Sequence, residues 1–151
     1  MKHSANLLVE AEDNVVGNVL ADLGTYPHWN DLVQVADPAQ DDGDGPAWTT
    51  TLRAQVGPLA RSKQLRFVRT TDETQPDGSR HILFERIELD GREHAAWVME
   101  VSTQRAEAQS TRVTLTLSYS GGLWIPALGN VLGSAIERAT TRLPSYVASL
   151  G

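Results

Sequence analysis

As a strand, the segment Phe84-Glu85-Arg86-Ile87-Glu88 turns Phe84, Arg86 and Glu88 to one face. A guanidinium on an apolar face needs an anion, and Glu88, with Glu93 further on, can supply one. Donors left over would orient a carboxylate, phenolate or enolate on a ligand, or stabilise such charge as it develops. Without a ligand the same residues make a structural ion pair at the end of a sheet, since arginine rarely stays buried without partners. Tyr119 closes another alternating run. It is either an acid inside a cavity or a core ring with its hydroxyl at the rim. The other reactive types lack productive spacing. His3, His28, His81 and His94 show no metal-ligand pattern, cysteine is absent, and neither a Gly-x-Ser-x-Gly elbow nor a phosphate-cradling loop occurs. No metal and no cofactor are expected, and no catalytic residue is assigned.

Two stretches with helical period and a series of strands must position these groups. In residues 13 to 23, Val15, Val16, Val19, Leu20 and Leu23 share a face, and Gly24 stops the helix. From about Leu123 to Leu150 a continuous apolar stripe predicts a long helix of roughly 42 Å, with Pro126 in its first turn and Pro144 near its end. Between them period two runs over residues 47 to 56, 62 to 71, 80 to 89, 93 to 104 and 111 to 120. Residues 3 to 10 and Leu32 to Asp37 read as two further strands. Short turns, including Asp77-Gly78 and Asp90-Gly91, make neighbouring strands antiparallel. The order predicts one α+β domain over residues 1 to 151.

A two-residue turn at Asp90-Gly91 sets Phe84 opposite Trp97, Ile82 opposite Met99, Arg86 opposite Ala95 and Glu88 opposite Glu93. A similar turn at Asp77-Gly78 sets Arg69 opposite Arg86 and Phe67 opposite Glu88; a longer loop would put Arg66 on the inner face in place of Arg69. Val113, Leu115, Leu117 and Tyr119 continue the apolar side, as do Trp48, Leu52, Ala54 and Val56. One helix, ~10–12 Å across, covers the whole face. Either room stays open beneath it, or Gly129 and Gly133 let it settle onto a solid core; the residues alone leave both open.

Several segments together resemble the SRPBCC, or START-like, superfamily, and most of all its polyketide cyclase/dehydrase branch as found in actinobacterial proteins. They are Leu20-Ala21-Asp22 with Tyr26-Pro27-His28-Trp29, Val56-Gly57-Pro58, Phe84-Glu85-Arg86 with Asp90-Gly91-Arg92-Glu93-His94 and Trp97, and Tyr119-Ser120-Gly121-Gly122-Leu123-Trp124. The likeness spans nearly the whole chain. It implies the helix-grip fold: a curved seven-stranded antiparallel sheet wrapped around a long C-terminal helix, with a hydrophobic cavity between them. It implies function only loosely, because members range from aromatic cyclases to lipid and hormone binders.

Charge narrows the partners. Residues 1 to 50 hold nine carboxylates against Lys2 alone, while Arg53, Arg61, Lys63, Arg66 and Arg69 form a basic stretch without an acid. In a chain of net charge −6 that stretch reads as a solvated strand face, and nucleic acid is not an expected partner. No apolar run approaches the ~20 residues of a membrane span, and no signal peptide opens the chain, so a cytoplasmic protein is expected. The function these readings favour is binding of a small hydrophobic molecule, aromatic, polyketide-like or lipid. Arg86, Trp97, Phe84, Met99, Tyr119, Arg69 and Glu88 would line its site. A cyclase or dehydratase is the enzymatic form of the same idea. The alternative is an interaction module that uses the acidic N-terminal third and no small-molecule chemistry.

Overall fold

The computed structural model describes residues 1–56, 58–121 and 126–151. Strand β1 (Lys2–Val9) leads into α1 (Asp13–Ala21), a short 3₁₀ segment (Leu23–His28) and β2 (Val33–Ala39). Five more strands follow: β3 (Ala47–Val56), β4 (Leu59–Thr74), β5 (Arg80–Arg86), β6 (Ala96–Glu107) and β7 (Ser110–Ser120). Helix α2 (Pro126–Ser149) then crosses the sheet. All neighbours are antiparallel in the order β1-β7-β6-β5-β4-β3-β2. The curved sheet turns its apolar side to α2, which buries Leu132, Ala135, Ile136, Ala139, Leu143 and Val147 against it. The expected start of that helix at residues 123 to 125 lies outside the described residues.

Helix α1 is shorter than its periodicity predicts because Asp22 intervenes. Its carboxylate accepts the Gly24 N–H at 2.9 Å and starts the 3₁₀ segment, which carries Leu23 and Tyr26 into the core. Burial pushes the Tyr26 hydroxyl far above its ordinary pKa, so it stays protonated and donates to the Leu20 carbonyl at 2.8 Å.

The predicted hairpin registers need correction. Phe84 lies opposite Met99 and Ile82 opposite Val101, because β5 ends at Arg86 and β6 begins only at Ala96. The connection between them is far longer than a two-residue turn, and Glu93 sits exposed within it. Asp90 shapes this loop by accepting the Arg92 N–H at 3.0 Å and binding His94 Nε2 at 2.8 Å, with Gly91 at a φ of 72°. A slip of two residues leaves every side chain on its expected face. His81 and Glu100, now diagonal neighbours, still meet at 3.2 Å.

The β4–β5 pairing departs further from expectation. Phe67 lies opposite Arg86 and Arg69 opposite Phe84, so the two arginines are not paired. The connecting loop is longer than two residues: Gln75 N–H donates to the Ser79 carbonyl at 2.7 Å, and Asp77 accepts from the Ser79 N–H and hydroxyl. A bulge between Arg69 and Thr71 absorbs the odd residue, so Leu65, Phe67 and Arg69 keep one face and Arg66 does not replace Arg69 on it. Edge strand β2 carries Pro38, paired with Trp48 of β3.

Arg80 on β5 ties an ion pair within the sheet to α1. Arg80 grips Asp72 through Nε at 2.7 Å and Nη2 at 2.8 Å while its Nη1 donates to Asn18 at 3.1 Å. The hydrogen bond from Arg80 holds the Asp72 carboxyl below its ordinary pKa. Its native pKa is therefore below the unfolded one, so the stabilisation is present at neutral pH and is lost as acid titrates the group. Asp72→Asn should flatten the fall in stability below about pH 4, as measured by urea unfolding across pH.

Candidate ligand cavity

At one end of the groove between sheet and helix, a cavity of about 340 Å³ opens. Leu52 and Ala54 of β3, Trp97 of β6, Tyr119 of β7 and Leu128 and Leu132 of α2 form most of its wall, and Arg53, Arg61, Ser62 and Lys63 complete it with Leu32. A cleft of about 430 Å³ adjoins it through the shared Leu32, Arg53 and Ala54, and is lined by Gln55, Asn130, Ser134 and the Asp31–Arg138 pair. Deeper under α2, room for about 20 Å³ remains beside Met99, Leu117 and Ala139, enough for a single water. The sheet and helix thus leave space mainly at the N-terminal half of α2. Tyr26, Trp29 and Phe84 fill the rest. Their rings interlock, Tyr26 and Trp29 at 4.3 Å between centroids and Phe84 edge-on to both Tyr26 and Trp48 at 5.6 Å.

Trp97 and Tyr119 are cross-strand partners with ring centroids 4.5 Å apart, and they make the aromatic end of the cavity. Trp97 is 7% exposed, and its indole N–H has no hydrogen-bond partner among the described residues. Gly121 makes room for Tyr119, because a Cβ at that position would overlap the phenol oxygen and ring. Gly121→Ala should therefore push the Tyr119 ring aside and cost about 1–3 kcal/mol through overpacking. A urea midpoint close to that of the unaltered protein would show that the ring has other room.

The structure places the other sequence-predicted residues as follows. Arg86, next after Phe84 on the concave face, is only 5% exposed at its side chain, and each of its three guanidinium nitrogens has a partner. Its Nε donates to Glu88 at 3.0 Å, Nη1 to the Ala95 carbonyl at 3.4 Å, and Nη2 meets His94 Nδ1 at 3.3 Å. Glu88 also accepts the Arg66 N–H at 3.0 Å. Because Phe84 pairs with Met99, the next same-face positions on β5 and β6 are Arg86 and Trp97. Arg69 turns instead to α1, where it donates to the Ala21 carbonyl at 2.7 Å, complementing the negative end of that helix. Phe84, Arg69 and Arg86 line none of these spaces, Glu88 lines a separate cleft of about 410 Å³ with Arg66 and Leu89, and Met99 lines the small inner one.

Sequence reasoning missed most of the cavity wall. Leu32, Leu128 and Leu132 are ordinary core leucines by pattern, and Arg61 and Lys63 read as solvated. A signal was present for the last two. Counting back by twos from Phe67 through Leu65 lands on Lys63 and Arg61, the same face.

Helix α2 is held where its second half meets the 3₁₀ segment. Asp31 bridges Arg138 and Arg142, Arg142 also donates to the His28 carbonyl at 3.2 Å, and the His28 and Tyr146 rings stack at 5.1 Å. At its other half Gly133 lets the helix ride close over His3 of β1.

A seven-stranded antiparallel sheet curled against a C-terminal helix, with an apolar opening beneath the helix, defines the START-like helix-grip fold. No protein-family model matches the chain, and no curated protein matches its sequence. Solved structures share the fold at low identity. Human StAR-related lipid transfer protein 5 superposes with a TM-score of 0.80 over 97% of this chain and 75% of its own, at 11% identity. A START superfamily protein from Mycobacterium smegmatis gives 0.69 over 99% of each chain at 16% identity. The STAR-related lipid transfer protein from Xanthomonas axonopodis gives 0.69 over 96% and 84% at 15% identity. At such identities the likeness is one of fold. No helix of the described residues is long and apolar enough to cross a membrane.

Proposed function

We propose that this chain binds a small hydrophobic molecule in the cavity under the first half of α2. The observation that carries the reading is an opening of about 340 Å³ walled by Trp97, Tyr119, Leu52, Leu128 and Leu132. Cavities that take drug-sized ligands start at about 300 Å³ and have this mostly apolar, partly aromatic lining. The lipid-transfer proteins among the structural neighbours support the same class of ligand. Trp97 and Tyr119 offer flat surfaces to it. Arg86, bonded to Glu88, the Ala95 carbonyl and His94, is not part of this wall.

Binding is favoured over turnover by the wall itself. Among the described residues it contains no carboxylate and no imidazole, so it lacks an acid and base pair for cyclisation or dehydration of a polyketide-like chain. Tyr119 is its one phenolic donor. A library of aromatic and acyl compounds screened by thermal unfolding tests the reading. A ligand at a hundredfold excess over its Kd should stabilise the fold by about 2.7 kcal/mol and raise Tm by about 5–11 °C. No shift across the library, and no co-purifying small molecule in native mass spectra, would overturn it.

A further inference from the structure

The cations around the cavity are distributed in a way that charge balance alone does not require. The chain has 13 Lys and Arg against 19 Asp and Glu, enough carboxylate for every cation. Arg66, Arg69, Arg80, Arg86, Arg105, Arg138 and Arg142 each have one within ion-pair distance. Lys2, Arg53, Arg61, Lys63, Arg92 and Arg112 have none among the described residues, and of these Arg53 on β3 and Arg61 and Lys63 on β4 belong to the cavity wall. The position of the two on β4 follows from register. Lys63 pairs with Leu52 and Arg61 with Ala54, two residues of that wall, so both cations share its face. Along this one face β4 changes from buried Phe67 and Leu65 to exposed Lys63 and Arg61.

An apolar chamber with cations unpaired at its edge and, among the described residues, no carboxylate on its wall suits an anion with a greasy body. We propose that the ligand is an anionic amphiphile, its acidic head held by Arg61 and Lys63 and its body laid against Trp97 and Leu132; this rests on the cavity-binding reading above. Apolar walls beside the cations lower the local dielectric, which strengthens their attraction for the head relative to open water. Arg61 presents a planar fork suited to a carboxylate, and Lys63 a mobile point charge beside it. The size of the chamber, at the small end of drug-sized sites, suits a single acyl chain or fused rings and not a two-chain lipid.

Two matched pairs test this: dodecanoate against 1-dodecanol, and 2-naphthoate against 2-naphthol, titrated by calorimetry at low and physiological ionic strength, below micelle-forming concentrations. The unaltered protein should bind at least one acid about tenfold or more tighter than its alcohol, with the preference shrinking as salt rises. The exposed-site double variant Arg61→Gln with Lys63→Gln should lose the preference and bind acid and alcohol equally. Equal binding of acid and alcohol by the unaltered protein overturns the proposal and leaves the cavity reading standing. So does a preference that survives in the double variant. Binding of none of the four compounds overturns both. If the double variant instead loses attachment to phosphatidylglycerol vesicles while no soluble acid is preferred, the cations serve a membrane surface and the proposal fails.

Discussion

Ala54→Trp should weaken ligand binding by about a hundredfold or more while changing stability by only about 0.5–1 kcal/mol. Ala54 lies on β3 where the two larger spaces meet, and it is only half-buried, so an indole there can occupy empty volume instead of displacing packed atoms. A strand position also suits tryptophan. The indole would fall beside Arg61, its cross-strand partner, and beneath Leu128 and Leu132, where the ligand body is proposed to lie. Calorimetric titration of a ligand found by thermal screening provides the measurement, with urea unfolding as the control. Retained affinity in a folded variant would move the binding site elsewhere.

Phe84→Ala should do the reverse. Phe84 is fully buried, its ring set edge-on to Tyr26 and Trp48, and no collapse of neighbours can fill the space it leaves. The expected loss is about 3–5 kcal/mol, a large share of the ~5–15 kcal/mol that a domain of this kind possesses. Tm should fall by about 6–20 °C. The folded fraction should bind ligand almost as before, because Phe84 lies in the closed part of the groove. A stable Phe84→Ala protein with strongly altered affinity would show instead that this ring reaches the ligand.

How much of this was legible in the sequence depends on whether a feature is set locally or by loops. Faces were legible, since alternation in Phe84, Ile82, Trp97 and Met99 fixes which side is apolar whatever the register. Register was not, because it depends on how many residues a connection holds. The Asp90 and His94 side chains organise a loop that pattern alone reads as a tight turn, and the bulge after Arg69 is invisible to a count of apolar residues. The antiparallel strands and the long last helix were legible from pattern, and the helix-grip arrangement came from the family resemblance; a slip of two residues disturbs neither. The location of the opening was not legible, since it depends on how far Tyr26, Trp29 and Phe84 fill the groove, which is a matter of three-dimensional volume. Arg86 marked a real polar cluster on the concave face; that Glu88, His94 and the Ala95 carbonyl hold its guanidinium follows only from the loop's path.

The proline on the outermost strand has a bearing on how copies of this chain behave when concentrated. Strand β2 ends the sheet, and an open margin of that kind invites another chain to continue the ladder. Pro38 has no N–H to offer an incoming strand, and Asp37 beside it adds a charge that such a neighbour would have to accommodate. That side of the molecule is thereby blunted against fibrous growth, which leaves the protein free to keep a greasy opening elsewhere without risking runaway self-stacking.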